Sequence, residues 1–324
     1  MNLYIVGATG LVGRKFIEIL EKEDEGIEQI FLFSSKKSEG KKIKYKDRYL
    51  EVKSDFDEFE PKNGVVVLCT PSSVSKQIVP KLLNKDIYII DCSTEYRKRK
   101  EVPLVAVGVN QDNIYKNNLI CNPNCVVLII INILNILKKE YGLKKVDVVT
   151  LQSVSGSGKK GLDDLLNKES KYYPYRIDKT CIPLIGEILN NNYSSEEDKV
   201  RFEIRKILND EDLKINATCI RVPIESCHGI SLSLELNKDV SVDEVIESMA
   251  KKQCLIYKNI PNSIDAEKNN LIYFGRVKKD LDNPYVIHMY VVGDNLYRGA
   301  ASNAFWILKE IIKIEKLSKK QVDF

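Results

Sequence analysis

The chain has 324 residues, a length that suggests two domains. Hydrophobic residues make up 44% and charged residues 30%, an ordinary globular balance that sets aside disordered, collagen-like and low-complexity classes. Its 50 Lys+Arg against 46 Asp+Glu leave a net charge of +4, which gives no reason to expect nucleic acid or a membrane surface as a partner.

The predicted elements begin as a strand–helix alternation. Leu3–Val6 reads as a buried strand, with no basic segment before it and no cleavage site after it, so it predicts structure and not a signal. Leu11–Lys22 has helical spacing, Gln29–Phe33 and Val65–Cys69 are strands, Val74–Leu83 is helical, and Ile87–Asp91 is a strand again. Unbroken apolar strands separated by helices predict an α/β domain, a doubly wound parallel sheet running to about residue 124. Val126–Leu137 is a strongly apolar helix, interrupted by Asn132 and Asn135 and too short to span a bilayer. Lys145–Val154, Thr218–Pro223, Ile230–Leu236 and Tyr285–Val292 predict strands of a largely antiparallel sheet, with Ile230, Leu232, Leu234 and Leu236 on one face. This is a second domain of α+β type, and Ala300–Leu317 closes the chain as a helix. The whole reads as soluble and cytoplasmic.

Gly7-Ala8-Thr9-Gly10-Leu11-Val12-Gly13 joins the first strand to the first helix. Small residues there let backbone N–H groups reach a pyrophosphate, and the helix N-terminus favours the anion, as in Rossmann-type folds. A tight turn without a ligand is the plain alternative. No acid follows the second strand to bind the ribose hydroxyls of NAD. Ser34-Ser35-Lys36-Lys37 stand there instead and suit the 2′-phosphate of NADP, or are simply a solvated lysine-rich loop.

The composition also holds 8 cysteines and 2 histidines. No Cys-x-x-Cys pair occurs, so reduced cytosolic thiols and no metal site are expected. Asn124 is a good N-cap that places Cys125 in a first helical turn, where a thiolate is favoured. A free cysteine is otherwise most often a small buried hydrophobe. Cys69 and Cys254 read as packing, and Cys92 and Cys121 stay undecided. His288, inside a strand, reads as packing or as hydrogen-bonded core. Ser194 with Glu197 reads as a capping box. Taken alone, Arg221 reads as a strand-edge surface arginine, Gln152 as a surface residue and His228 as a structural histidine.

Several motifs in order resemble the aspartate-semialdehyde dehydrogenase family from residue 1 to nearly the C-terminus. They are Asp91-Cys92-Ser93-Thr94-Glu95-Tyr96-Arg97, Asn122-Pro123-Asn124-Cys125, Gln152-Ser153-Val154-Ser155-Gly156-Ser157-Gly158, Arg221-Val222-Pro223 with His228, and Arg298-Gly299-Ala300-Ala301-Ser302-Asn303-Ala304. The resemblance implies NADPH-dependent reduction of L-aspartyl-4-phosphate to L-aspartate-4-semialdehyde, on the route to lysine, methionine, threonine and diaminopimelate. It implies Cys125 as nucleophile, His228 as acid/base, with an imidazole titrating near neutrality suited to the task, and Gln152 as the residue orienting the acyl intermediate. Arg221 matches the binder of the substrate α-carboxylate, Glu196 that of its ammonium, and Arg97 with Lys199 the phosphate pair. Gly7, Thr9, Gly10, Leu11, Val12, Gly13, Ser34, Lys36, Ser155, Gly156 and Asn303 are implied for the cofactor.

The resemblance further implies an NADP-binding domain of residues 1–124 plus 300–324, a catalytic and dimerisation domain of residues 125–299, and a homodimer or homotetramer. Two departures stand out. Thr70-Pro71-Ser72-Ser73 replaces a small-residue stretch against the cofactor, and Ser34-Ser35-Lys36-Lys37-Ser38 replaces a Ser-Arg-Ser. N-acetyl-glutamyl-phosphate reductase, which shares fold and chemistry, and a non-catalytic NADP-binding paralogue are the competing readings.

Overall fold

The apolar runs of the first third fold as strands because β-branched residues suit a pleated surface buried on both faces. In the computed structural model, which describes residues 1–23, 26–56 and 59–322, the strands are β1 (Asn2–Val6), β2 (Gln29–Phe33), β3 (Lys42–Tyr45), β4 (Arg48–Lys53), β5 (Gly64–Leu68), β6 (Ile87–Asp91) and β7 (Leu119–Cys121). They form one sheet in the order β3-β4-β2-β1-β5-β6-β7. All its pairings are parallel except the β3–β4 hairpin. That hairpin is an addition to the expected fold. Its lysines hide a strict alternation in which only Ile43 and Tyr45 of β3 turn inward. Helix α1 (Leu11–Glu23), helix α2 (Ser72–Leu82) and the C-terminal helix Ala300–Val322 accompany the sheet. Phe16 and Phe305 meet edge to face in its core, with ring centroids 6.4 Å apart. These elements belong to one compact unit, Met1–Pro123 with Ala300–Phe324; Asn124–Gly299 is the other. Residues 323 and 324, the end of the expected C-terminal segment, lie outside the described residues.

The second unit holds α3 (Cys125–Tyr141), β8 (Leu143–Gln152), α4 (Gly158–Leu166), α5 (Ser195–Leu208), β9 (Lys214–Arg221), β10 (His228–Leu236), α6 (Val242–Ala250), β11 (Leu255–Tyr257), α7 (Ser263–Ala266), β12 (Ile272–Lys279) and β13 (Val286–Gly293). The sheet order is β11-β12-β13-β10-β8-β9. Its centre is antiparallel, but β8–β9 and β11–β12 at the two edges are parallel. Ile230, Leu232, Leu234 and Leu236 are all buried on one face, as their alternation requires. α3 is apolar nearly all round because it packs against the sheet, α5 and α6. No helix among the described residues is long and apolar enough to cross a membrane.

Candidate active site

The topology of the second sheet brings three distant side chains to one end. Gln152 is the last residue of β8 and Arg221 the last of β9, and the two are register partners. His228 opens β10, whose next residue, Gly229, pairs with Leu151. All three side chains are buried, which corrects the surface readings of Gln152 and Arg221. A strand end reads as exposed only while nothing is known to cover it, and here α3 and α5 do.

Cys125 enters as the first residue of α3. Asn124 caps the helix, its side chain accepting the Val126 N–H at 2.8 Å. Cys125 Sγ lies 3.3 Å from His228 Nε2. The residue before His228, Cys227, holds a φ of +70°, and its N–H donates to Asn295 Oδ1 at 3.1 Å. A left-handed non-glycine residue of this kind is retained where surrounding contacts over-determine it. Gly156 stands beside the cluster, where an added Cβ would come within 2.9 Å of Arg221 Nη1 and 3.6 Å of His228 Nε2. Its missing side chain keeps that space open.

Charge is concentrated on α5. Ser194 caps it in the expected box with Glu197. Glu196 accepts from Asn124 Nδ2 at 2.9 Å and Gln152 Nε2 at 3.3 Å, and pairs with Lys199 at 2.6 Å. Burial pushes the Glu196 carboxyl up, but Lys199 and these donors outweigh it and hold it below the usual range. Two turns on, buried Glu203 accepts the Asn124 backbone N–H at 2.6 Å. Two carboxylates thus grip the residue before Cys125. Glu203 belongs to no motif, although its seven-residue spacing from Glu196 puts both on one helix face. Glu203→Gln is expected to lower stability by at most ~1.5–3 kcal/mol, the worth of a hydrogen bond to a charged group, as measured by chemical denaturation.

The titration behaviour differs from the sequence expectation. Loss of water around the sulfur, then the Glu196 carboxylate, push the Cys125 thiol up to about 12 despite Arg221, the Val126 N–H and Lys199. Burial, then Arg221, push His228 down to about 3. The helix N-terminus favours the thiolate as expected, but desolvation is the larger effect. The resting pair is therefore neutral thiol beside neutral imidazole.

The imidazole is oriented from behind. The Ser153 N–H donates to Nδ1 at 3.1 Å, so Nε2 carries the hydrogen toward the sulfur. Ser153 Oγ also lies 3.1 Å from Nδ1 and itself donates to Asn295 Oδ1 at 3.0 Å. It can accept from Nδ1 whenever that nitrogen is protonated. Arg221 Nη1 donates to the Ser153 carbonyl at 2.5 Å. The other histidine, His288, is hydrogen-bonded but not core: it is half-exposed and pairs with Asp280 at 2.7 Å.

In the first unit, the Gly7–Gly13 turn leads into α1 as read. An added Cβ on Gly13 would meet Gly7 O at 2.3 Å, and one on Gly7 would meet Cys69 O at 2.2 Å. The turn is packed too tightly for side chains, leaving the N–H groups of Leu11, Val12 and the first turn facing outward. Thr9 Oγ1 lies 2.7 Å from Ser34 Oγ, while Lys36 is exposed beyond it. This hydroxyl and ammonium set, beside the first turn of a helix, fits a phosphorylated dinucleotide. Thr70-Pro71-Ser72-Ser73 starts α2, with Ser72 Oγ 2.8 Å from Thr94 Oγ1.

Asn303 departs from its implied part. Its amide donates to Val105 O and Asn122 Oδ1, both at 2.7 Å, and its oxygen accepts the Val107 N–H at 3.0 Å. Both amide hydrogens are spent inside the unit, so the side chain is a strut and offers a nucleotide no donor. Ser155 Oγ is likewise engaged, with Asn295 and Ser153. Arg97 is buried in the first unit and donates to Cys92 O at 2.9 Å, whereas Lys199 belongs to the second unit.

Residues 2–117 match the family model described as semialdehyde dehydrogenase, NAD binding domain, and residues 134–298 match semialdehyde dehydrogenase, dimerisation domain. The aspartate-semialdehyde dehydrogenase of Aquifex aeolicus is 33% identical, over 95% of this chain and 97% of its own. That of Bacillus subtilis is also 33% identical, over 97% and 98%. The solved aspartate semialdehyde dehydrogenase II of Vibrio cholerae, complexed with ASA, is 28% identical with a TM-score of 0.93, covering 96% of this chain and 98% of that one. With its motifs in order, two matching domain models and relatives aligned almost end to end, this chain belongs to the aspartate-semialdehyde dehydrogenase family.

Proposed function

We propose that the chain reduces L-aspartyl-4-phosphate to L-aspartate-4-semialdehyde with NADPH, releasing inorganic phosphate, in the biosynthesis of lysine, methionine, threonine and diaminopimelate. The observation that carries this reading is the 3.3 Å contact between Cys125 Sγ and His228 Nε2, made at a helix start beside Glu196 and Arg221.

Cys125 attacks the acyl carbon, the thiol proton departs with the leaving phosphate, and a thioester remains on the sulfur. When bound, NADPH supplies the hydride that takes this carbon to the aldehyde level. His228 steadies the oxyanion that results by a hydrogen bond from Nε2; collapse to the aldehyde expels the Cys125 thiolate, which takes one proton from solvent relayed through His228. Gln152 orients the acyl group. Arg221 holds the α-carboxylate, where a planar fork suits two-point binding. An arriving substrate ammonium competes with Lys199 for Glu196, and the displaced Lys199 charge becomes available to the phosphate, with Arg97 as its partner in that task.

Residues 1–124 with 300–324 take NADP at the Gly7–Gly13 turn, through the N–H groups of Leu11, Val12 and Gly13 and through Thr9, Ser34 and Lys36. Ser155 and Gly156 are further cofactor-binding residues in this reading, Gly156 by the bareness of its α-carbon. Residues 125–299 carry the catalysis and the dimerisation surface of a cytoplasmic homodimer or homotetramer. Steady-state reduction of aspartyl phosphate and of N-acetyl-glutamyl phosphate, each with NADPH and with NADH, tests the reading. Turnover is expected with aspartyl phosphate and NADPH. Preference for the acetylated substrate, which has no ammonium for Glu196, would assign the chain to the other reductase.

A further inference from the structure

Two cysteines outside the catalytic cluster stand side by side just past the C-terminal ends of two inner strands of the first sheet. β5 and β6 are parallel, and their register pairs Leu68 with Asp91, so the next residues, Cys69 and Cys92, are also neighbours. The Cys92 N–H donates to Leu68 O at 3.0 Å and keeps the strands paired at that level. Side chains in register on adjacent parallel strands point to the same face, and a strand spacing of ~4.8 Å falls inside the Cα separation of ~4.4–6.8 Å that a disulfide needs. Cys92 Sγ accepts from Asn122 Nδ2 at 3.5 Å, which holds the sulfur in place. Both cysteines are only partly buried, so a small oxidant can reach them.

We propose that Cys69 and Cys92 form a peroxide-oxidisable dithiol, which closes to a reversible disulfide across the ends of β5 and β6. The Cys92 thiolate attacks one peroxide oxygen, the O–O bond breaks, and the departing hydroxide is protonated to water, leaving a sulfenic acid on Cys92. Cys69 then attacks the Cys92 sulfur. The S–O bond breaks, the S–S bond forms, and a second water carries off the Cys69 proton with the hydroxyl. Two thiols lose two electrons and one peroxide gains them. The bond ties together the two strand ends that meet functional segments: Cys69 O lies against Gly7, and Cys92 O accepts from Arg97. A transient bond of this kind fits a reducing compartment, where lasting disulfides are rare.

The test treats the full-length protein with hydrogen peroxide, blocks remaining thiols by alkylation, and maps the peptides by mass. A Cys69–Cys92 crosslink, two hydrogens lighter than the separate peptides and removed by dithiothreitol, is expected. In Cys69→Ser the crosslink is lost and a sulfenic acid on Cys92 is trapped by dimedone. Stable sulfinic acid on either residue of the native chain without a crosslink, or dimedone on Cys69 in Cys92→Ser but never on Cys92 in Cys69→Ser, would overturn the proposal. The mapping reads no enzyme activity, so its outcome is independent of the proposed function.

Discussion

Cys125→Ser is expected to lower the phosphate-dependent formation of NADPH from the semialdehyde by about four orders of magnitude or more, the scale seen when a covalent nucleophile is removed. A hydroxyl at the same helix start is a far poorer nucleophile, and Cys125 is the thiol that lies against His228 Nε2. The Cys125 side chain leans on the bare α-carbon of Gly299, where an added Cβ would lie 3.3 Å from Cys125 Cβ, so the smaller oxygen fits without a clash. NADPH affinity, read by fluorescence titration, should stay unchanged, because the nucleotide loop belongs to the other unit. Turnover within tenfold of the native chain would remove Cys125 from the mechanism. The resting thiol, pushed up to about 12, has a second consequence. Iodoacetamide should react slowly with Cys125 at neutral pH, because the thiolate is the reacting form.

His228→Asn is expected to cost about 10²–10⁴-fold in kcat, the usual worth of a positioned acid/base group, with a smaller change in KM. Its effect on stability has a definite sign. His228 is held at about 3 in the folded chain against an ordinary 6.5. Between those values the unfolded chain binds more protons, so stability rises with pH there. The contribution is complete above about pH 6.5 and is lost as the pH falls toward 3. Native protein should therefore lose stability between pH 6.5 and 4 more steeply than His228→Asn, by at most ~1.4 kcal/mol per pH unit. Parallel denaturation slopes for the two proteins in that window would show that His228 is not buried neutral. The same burial means that an activity decline near neutrality would have to come from another group.

Much of the site was legible because its signals are local. Asn124 before an apolar run announces a capped helix, and Ser194 with Glu197 announces the box on α5; both features depend on a few consecutive residues. The glycine turn is legible for the same reason, since Gly7 and Gly13 meet within one strand–helix junction. The β3–β4 hairpin was less so, because alternating lysines carry no signal until Ile43 and Tyr45 find a core. Arg221 and Gln152 were misplaced on the surface by local reasoning, because burial is set by what lies across the sheet end. Glu203, Ser153 and Asn295 serve the site only through partners such as Asn124 and His228, and that service has no motif of its own.

By itself the sequence determined the elements, the helix start that presents Cys125, and a pool of two histidines from which one acid/base could come. Those follow from backbone geometry and side-chain chemistry within a few residues. Only the tertiary structure decided that Cys125 and His228, 103 residues apart, meet at 3.3 Å. It also decided their protonation. The sequence pointed to a thiolate at a helix end and an imidazole near neutrality. Folding withdraws both groups from water beside Glu196 and Arg221, and desolvation, a property of the packed site and of no single residue, leaves them neutral.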